Sequence, residues 1–121
     1  MKTRAETYPV NQHRAYHAHI YFNEQSVNRV EALCATIQQQ FGLKVGRIHQ
    51  KCVGPHLRWS VQVVFNSGDF DRFIPWLDEA RGDLSVLVHG LTGNEYRDHT
   101  DYAYWLGEPA PLDLSQFEAG K

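Results

Sequence analysis

The chain has 121 residues, 42% hydrophobic and 21% charged, enough for one domain with a modest core and too few for two. Twelve basic against fourteen acidic side chains leave a net charge of -2, so there is no basic field for nucleic acid and no Lys/Arg cluster. Met1–Val10 lacks the apolar stretch of a signal peptide, and no run nears the roughly 18 apolar residues of a membrane span. Two cysteines in no paired spacing, Cys34 and Cys52, read as a buried or loop thiol in a reducing cytoplasm.

Residues 1–14 read as a polar leader. From Tyr16 to Phe22, Tyr16, Ala18, Ile20 and Phe22 alternate with His17, His19 and Tyr21, the period of a strand with one apolar face. Asn23 and Ser26 are helix-start residues. Between Glu24 and Phe41 the positions Val27, Val30, Leu33, Ile37 and Phe41 recur at helical spacing, and Gly42 stops the helix. Lys44–Ile48 is a short strand interrupted by Gly46, followed by a loop, His49–His56, that carries Gly54-Pro55. Leu57, Trp59, Val61, Val63 and Phe65 then alternate with Arg58, Ser60 and Gln62 as a third strand. Asn66–Asp69 is a turn and cap for a second helix, Phe70–Ala80, which Pro75 is expected to kink or end early.

A turn at Arg81–Asp83 leads into a fourth strand, Leu84–His89. The segment from Gly90 to Thr100 is polar and turn-rich, and an aromatic strand-like piece, Tyr102–Leu106, precedes a proline-containing tail. The order βαββαβ plus an extension is the ferredoxin-like pattern of the α+β class, an antiparallel sheet with helices on one face. The expected organisation is one domain, with a core over 15–89 and an extension over 90–121 that completes the site. The expected strand order is 4-1-3-2, with the first and third strands parallel and the other two antiparallel to them.

Seven histidines, dispersed rather than in a tag-like run, are the unusual feature: His13, His17, His19, His49, His56, His89 and His99. With the apolar positions facing the helices, His17, His19, His56 and His89 share the open face and are expected at one end of the sheet, with His49 arriving there after the second strand. Neutral imidazoles converging from rigid strands suit a divalent metal, and three ligands leave a position open for substrate. His99, between Asp98 and Asp101, suits a general acid/base. His13 reads as a surface residue. Glu95 and Glu108 are possible oxygen ligands, and Trp59 and Trp76 read as core. Gly90–Gly93 makes no convincing phosphate loop.

The segments Tyr16–Phe22, Val45-Gly46-Arg47, Val53-Gly54-Pro55-His56, Leu84–His89, Asp98-His99-Thr100-Asp101, Trp105–Pro109 and Pro111–Leu114 together resemble the DOPA 4,5-dioxygenase family of fungi and bacteria, from about Tyr16 to Phe117. The resemblance implies a ferredoxin-like fold, often dimeric, and extradiol, ring-opening cleavage of a catechol by O₂. It implies Fe(II) as cofactor, with Zn(II) or another divalent metal able to occupy the same site. His19, His56 and His89 are then the expected ligands. His99, with His17 where the family is more variable, is expected to be catalytic, and Arg58, Gln62, His49 and Arg97 to hold the substrate. One departure is Tyr102, where the family often has a second histidine after Thr-Asp. Two alternatives stay open: a dimeric ferredoxin-like module that binds a metal or small ligand without redox catalysis, and a metal-free monooxygenase on the same fold.

Overall fold

A computed structural model describes residues 7–117; the first six residues of the expected leader and the last four of the extension lie outside the described residues. Strands β1 (Ala15–Phe22), β2 (Lys44–Val45), β3 (Trp59–Asn66), β4 (Val86–Gly90) and β5 (Ala103–Leu106) form one sheet in the order β2-β3-β1-β4-β5. Helices α1 (Val27–Phe41) and α2 (Ser67–Ala80) cover one face, and a short helix α3 (Glu95–Asp98) precedes β5. The expected ferredoxin-like α+β architecture is present, and the aromatic piece of the extension becomes a fifth strand paired with β4.

The strand directions correct one expectation. β1 and β3 pair antiparallel, Ala15 opposite Asn66 and Phe22 opposite Trp59, not parallel. Each strand–helix–strand crossover makes its own two strands parallel. The two crossovers interleave, so among β1 to β4 every neighbour comes from the other unit and runs the opposite way. The start of β3 therefore lies beside the end of β1.

Side-chain parity divides the sheet. Tyr16, Ala18, Ile20 and Phe22, with Val61, Val63, Phe65, Val86, Val88, Tyr104 and Leu106, pack against Val30, Leu33, Ile37, Phe70, Phe73, Ile74 and Leu77 from the two helices. Trp59 and Trp76 lie against this core, as expected. Each fully buried aliphatic or aromatic side chain contributes about 1.5–3 kcal/mol, and the helices are held chiefly by this stripe.

Local chemistry moves several boundaries. α1 begins at Val27 because the Asn23 side chain first accepts from the Gln25 and Ser26 amides (2.9 and 3.1 Å), a local turn that competes with helix. Gly42, at φ 65°, ends it. Asn66 and Asp69 exchange backbone bonds in a capping box (3.0 and 3.1 Å), which starts α2 at Ser67. Pro75 is exposed and the chain stays helical through Ala80. β2 shortens at Gly46, although Gly46 and His49 still pair with Gln62 and Ser60.

Candidate metal centre

Three strand histidines meet on the face the helices leave open. His17 lies opposite His89 in the β1–β4 register, and His19 follows two residues along β1, so the pleat points all three rings to one side. A ligand nitrogen from each of His17, His19 and His89 lies within 4.8 Å of the other two. His19 Nε2 and His89 Nε2 are 3.0 Å apart. His89 Nδ1–H donates to the Gly90 carbonyl (3.0 Å), so its Nε2 carries the lone pair and accepts from His19. A proton thus bridges two nitrogens that can both reach one ion at about 2.0–2.1 Å.

Two more imidazoles flank this triad. The His56 ring centroid is 4.2 Å from that of His19, and the His99 centroid is 4.2 Å from that of His89. The antiparallel β1–β3 pairing would leave His56 at the far end of β1. The loop before β3 instead turns back over the open face, fixed by a bridge between His56 and Leu112 and by the Asp113 amide on the Pro55 carbonyl (2.8 Å). His56 Nδ1 is 2.8 Å from the Tyr21 hydroxyl. His99 Nδ1–H donates to the Glu95 carbonyl (2.8 Å), which leaves Nε2 as its free nitrogen.

Burial favours the neutral form of His17, His19, His56 and His89. Desolvation, then the neighbouring imidazoles, holds His19 well below the usual histidine range. The same causes bring His56 to about 4 and His89 to about 3. His17 is lowered too, by burial first, with Asp98 opposing. Neutral imidazoles with available lone pairs are the donor set that Zn, Fe, Cu and Ni accept.

The five rings line a cavity of about 460 Å³, with a sixth imidazole, His49, and Arg47, Gln62, Glu95, Asp98 and Phe117 also on its wall. A larger hollow of about 800 Å³ near the other end of β1 holds no histidine, so size is a poor guide to chemistry here.

A model of the Dopa 4,5-dioxygenase family matches residues 16–116. The chain belongs to that family. Over 113 residues it is 38% identical to an uncharacterised 21.2 kDa protein of Botryotinia fuckeliana, covering 84% of this chain and 62% of that one. It is 32% identical over 111 residues to the DOPA 4,5-dioxygenase of Amanita muscaria, covering 84% of this chain and 49% of the other. It thus spans 62% and 49% of the length of these two curated relatives. A crystal structure from Nostoc punctiforme, of a protein described as a candidate dioxygenase, superposes with a TM-score of 0.80 at 35% identity, covering 84% of this chain and 88% of that one.

Within this family member, the expected site residues separate. The mutually close trio contains His17 rather than His56. His49 and Gln62 line the cavity, whereas Arg58 lines the larger hollow. Arg97 turns to Asp101 (3.1 Å) and lies over the Tyr102 ring, 4.9 Å from its centroid, and it is not on the cavity wall. His13 is half-buried rather than free on the surface, 2.9 Å from the Tyr104 hydroxyl and edge-on to Tyr102. Of the two carboxylates, Glu95 reaches the cavity; Glu108 is exposed and away from it.

Tyr21 and Phe117 are contributors beyond those expected from the sequence, and Asp98, expected beside His99, has a further role. Tyr21 shares the parity of His17 and His19, a signal present in the alternation itself. Asp98 is buried, accepting from the Thr92 amide and hydroxyl (3.0 and 2.6 Å), and it pins the loop that carries His99. Phe117 stacks on His99, a contact across 18 positions that no local pattern signals.

Proposed function

We propose that this chain is an extradiol catechol dioxygenase in which His17, His19 and His89 hold a divalent, non-haem metal, Fe(II) first among the candidates. The observation that carries the reading is the convergence of six imidazoles on one cavity in a member of the Dopa 4,5-dioxygenase family. The donor set fits the ion, since the lowered titration of these histidines keeps them neutral near pH 7. His17 replaces His56 in the ligand trio because its ring nitrogen is near both others, while one nitrogen of His56 is engaged by Tyr21.

When bound, such an ion supplies Lewis-acid and redox chemistry toward a catechol and O₂. The chain's own groups do the remaining work. His99, with Nδ1–H anchored on the Glu95 carbonyl, presents Nε2 to take a proton from a catechol hydroxyl and return it later. His56, held by Tyr21, offers its other nitrogen as a polar contact. Gln62, His49 and Arg47 on the wall are placed to orient substrate polar groups, and Arg47 replaces Arg58 and Arg97 as the cation nearest a substrate carboxylate. Asp98 opposes the lowering of His17. A cytoplasmic homodimer completes the proposal; the free thiols of Cys34 and Cys52 support a reducing compartment.

The test is anaerobic reconstitution with Fe(II), then addition of O₂ with DOPA or simpler catechols. A coloured ring-opened product with matching O₂ uptake is expected. Tight Zn(II) binding that stabilises the fold, with no product from any catechol, would leave a metal-binding module instead.

A further inference from the structure

Two cavity imidazoles are held by one segment outside the sheet. Residues 112–117 follow β5 and return to the open face. Leu112 bridges to His56, and Asp113 N–H donates to the Pro55 carbonyl at 2.8 Å. The Asp113 carboxylate accepts from the Ser115 amide (3.0 Å) and hydroxyl (2.6 Å), a local turn. The turn closes with Phe117 N–H on the Leu114 carbonyl (3.0 Å). It delivers the Phe117 ring onto His99, stacked at 4.7 Å between centroids with 21° between planes. Phe117 is not part of the hydrophobic core cluster among the described residues; its apolar face is spent on a cavity imidazole.

We propose that this strap is a positioning element of the site, with Phe117 fixing the orientation of His99 and Leu112–Asp113 fixing the loop that carries His56. The inference rests on the functional reading above, because it concerns how His99 is presented to substrate. His17, His19 and His89 stand on β1 and β4 and need no help from the strap. Metal retention and proton exchange are therefore separable: the sheet governs the first, the strap the second. Stacking restricts rotation of the His99 ring, and the bond from Nδ1–H to the Glu95 carbonyl selects its tautomer. Without the stack, the ring turns and the free nitrogen no longer faces the cavity at one angle.

The experiment compares the parent chain with Phe117→Leu, which keeps apolar bulk but not the ring, and Phe117→Trp, which keeps a stacking face. Three properties are read: affinity for Co(II) alone, the ¹⁵N pattern of the His99 ring in Zn(II)-loaded protein, and catechol turnover with Fe(II). Phe117→Leu is expected to bind Co(II) as the parent does and to convert His99 from a single Nδ1–H tautomer to a mixture. It should lose kcat/KM on the order of tenfold to a hundredfold, as for a misplaced catalytic group. Phe117→Trp should restore both the tautomer and the rate. An unchanged His99 pattern in Phe117→Leu, or a fall in Co(II) affinity parallel to the fall in rate, would overturn the proposal. If the parent turns over no catechol, the dioxygenase reading fails by itself, and the His99 pattern still decides the role of the strap.

Discussion

The two faces of this sheet are made from alternate residues of the same strands, yet they are built for opposite ends. On β1, Tyr16, Ala18, Ile20 and Phe22 face the helices and are buried in an apolar core, while His17, His19 and Tyr21 face the other way. The helix face is covered by regular structure with repetitive spacing. The open face is covered by loops and a strap, with few apolar partners and six imidazoles around its cavity. One side chain's difference in parity therefore decides whether a residue contributes to stability or to the site.

Variants that break the open face should leave the fold intact and abolish chemistry, and His89→Ala gives the largest effect. It removes a ligand candidate and the partner of His19 Nε2. We expect loss of bound metal by elemental analysis and no detectable turnover, with cooperative unfolding retained. His99→Gln should be milder. The metal should stay, and kcat should fall on the order of a hundredfold to ten-thousandfold, the usual contribution of a positioned acid/base. A His99→Gln variant that loses its metal would move that residue into the ligand set.

Variants on the helix face should do the reverse. Phe73 is fully buried against Phe41, Phe65 and Trp76, and Phe73→Ala should cost about 3–5 kcal/mol in chemical denaturation. Whatever protein remains folded should still take up metal. Asn66→Ala, which removes one half of the capping box, should cost only about 1 kcal/mol and leave turnover unchanged.

Acid sharpens the contrast. In the unfolded chain histidine titrates near 6.5, whereas His56 and His89 in the folded, metal-free protein are lowered to about 4 and about 3. Between these values the unfolded state takes up protons that the folded state refuses. Stability is therefore full above pH 6.5 and declines as pH falls toward 4, by at most ~1.4 kcal/mol per pH unit for each such group. Denaturant midpoints of the metal-free protein across this range check the slope. His56→Leu should flatten it and Asn66→Ala should not.

The helix face was legible from the sequence because its spacing is local: the alternation of β1 and β3 and the three- and four-residue steps of α1 and α2 all appear in the structure. On the open face, legibility stopped where the chain leaves regular elements. His17, His19 and His89 follow from parity and register. His56 was expected in the right place from a wrong strand direction, since its position depends on a loop tied to Leu112 and Pro55. Those ties span more than fifty residues, and no periodicity encodes them. Pro75, exposed on α2, does not end the helix, which runs on through Ala80. Arg58 was expected from strand parity as well as charge, and Arg97 from charge, but one lines the other hollow and one is occupied by Asp101 and Tyr102.

The central claim is that the sheet itself, through His17, His19 and His89, forms the metal centre, with His56 beside it. A Co(II) titration followed by visible absorption, comparing the parent with His17→Ala and His56→Ala, tests this directly. The account predicts a single saturable equivalent in the parent, its loss in His17→Ala, and its retention in His56→Ala with an altered spectrum. Retention in His17→Ala together with loss in His56→Ala would contradict it and make the loop histidine the third ligand.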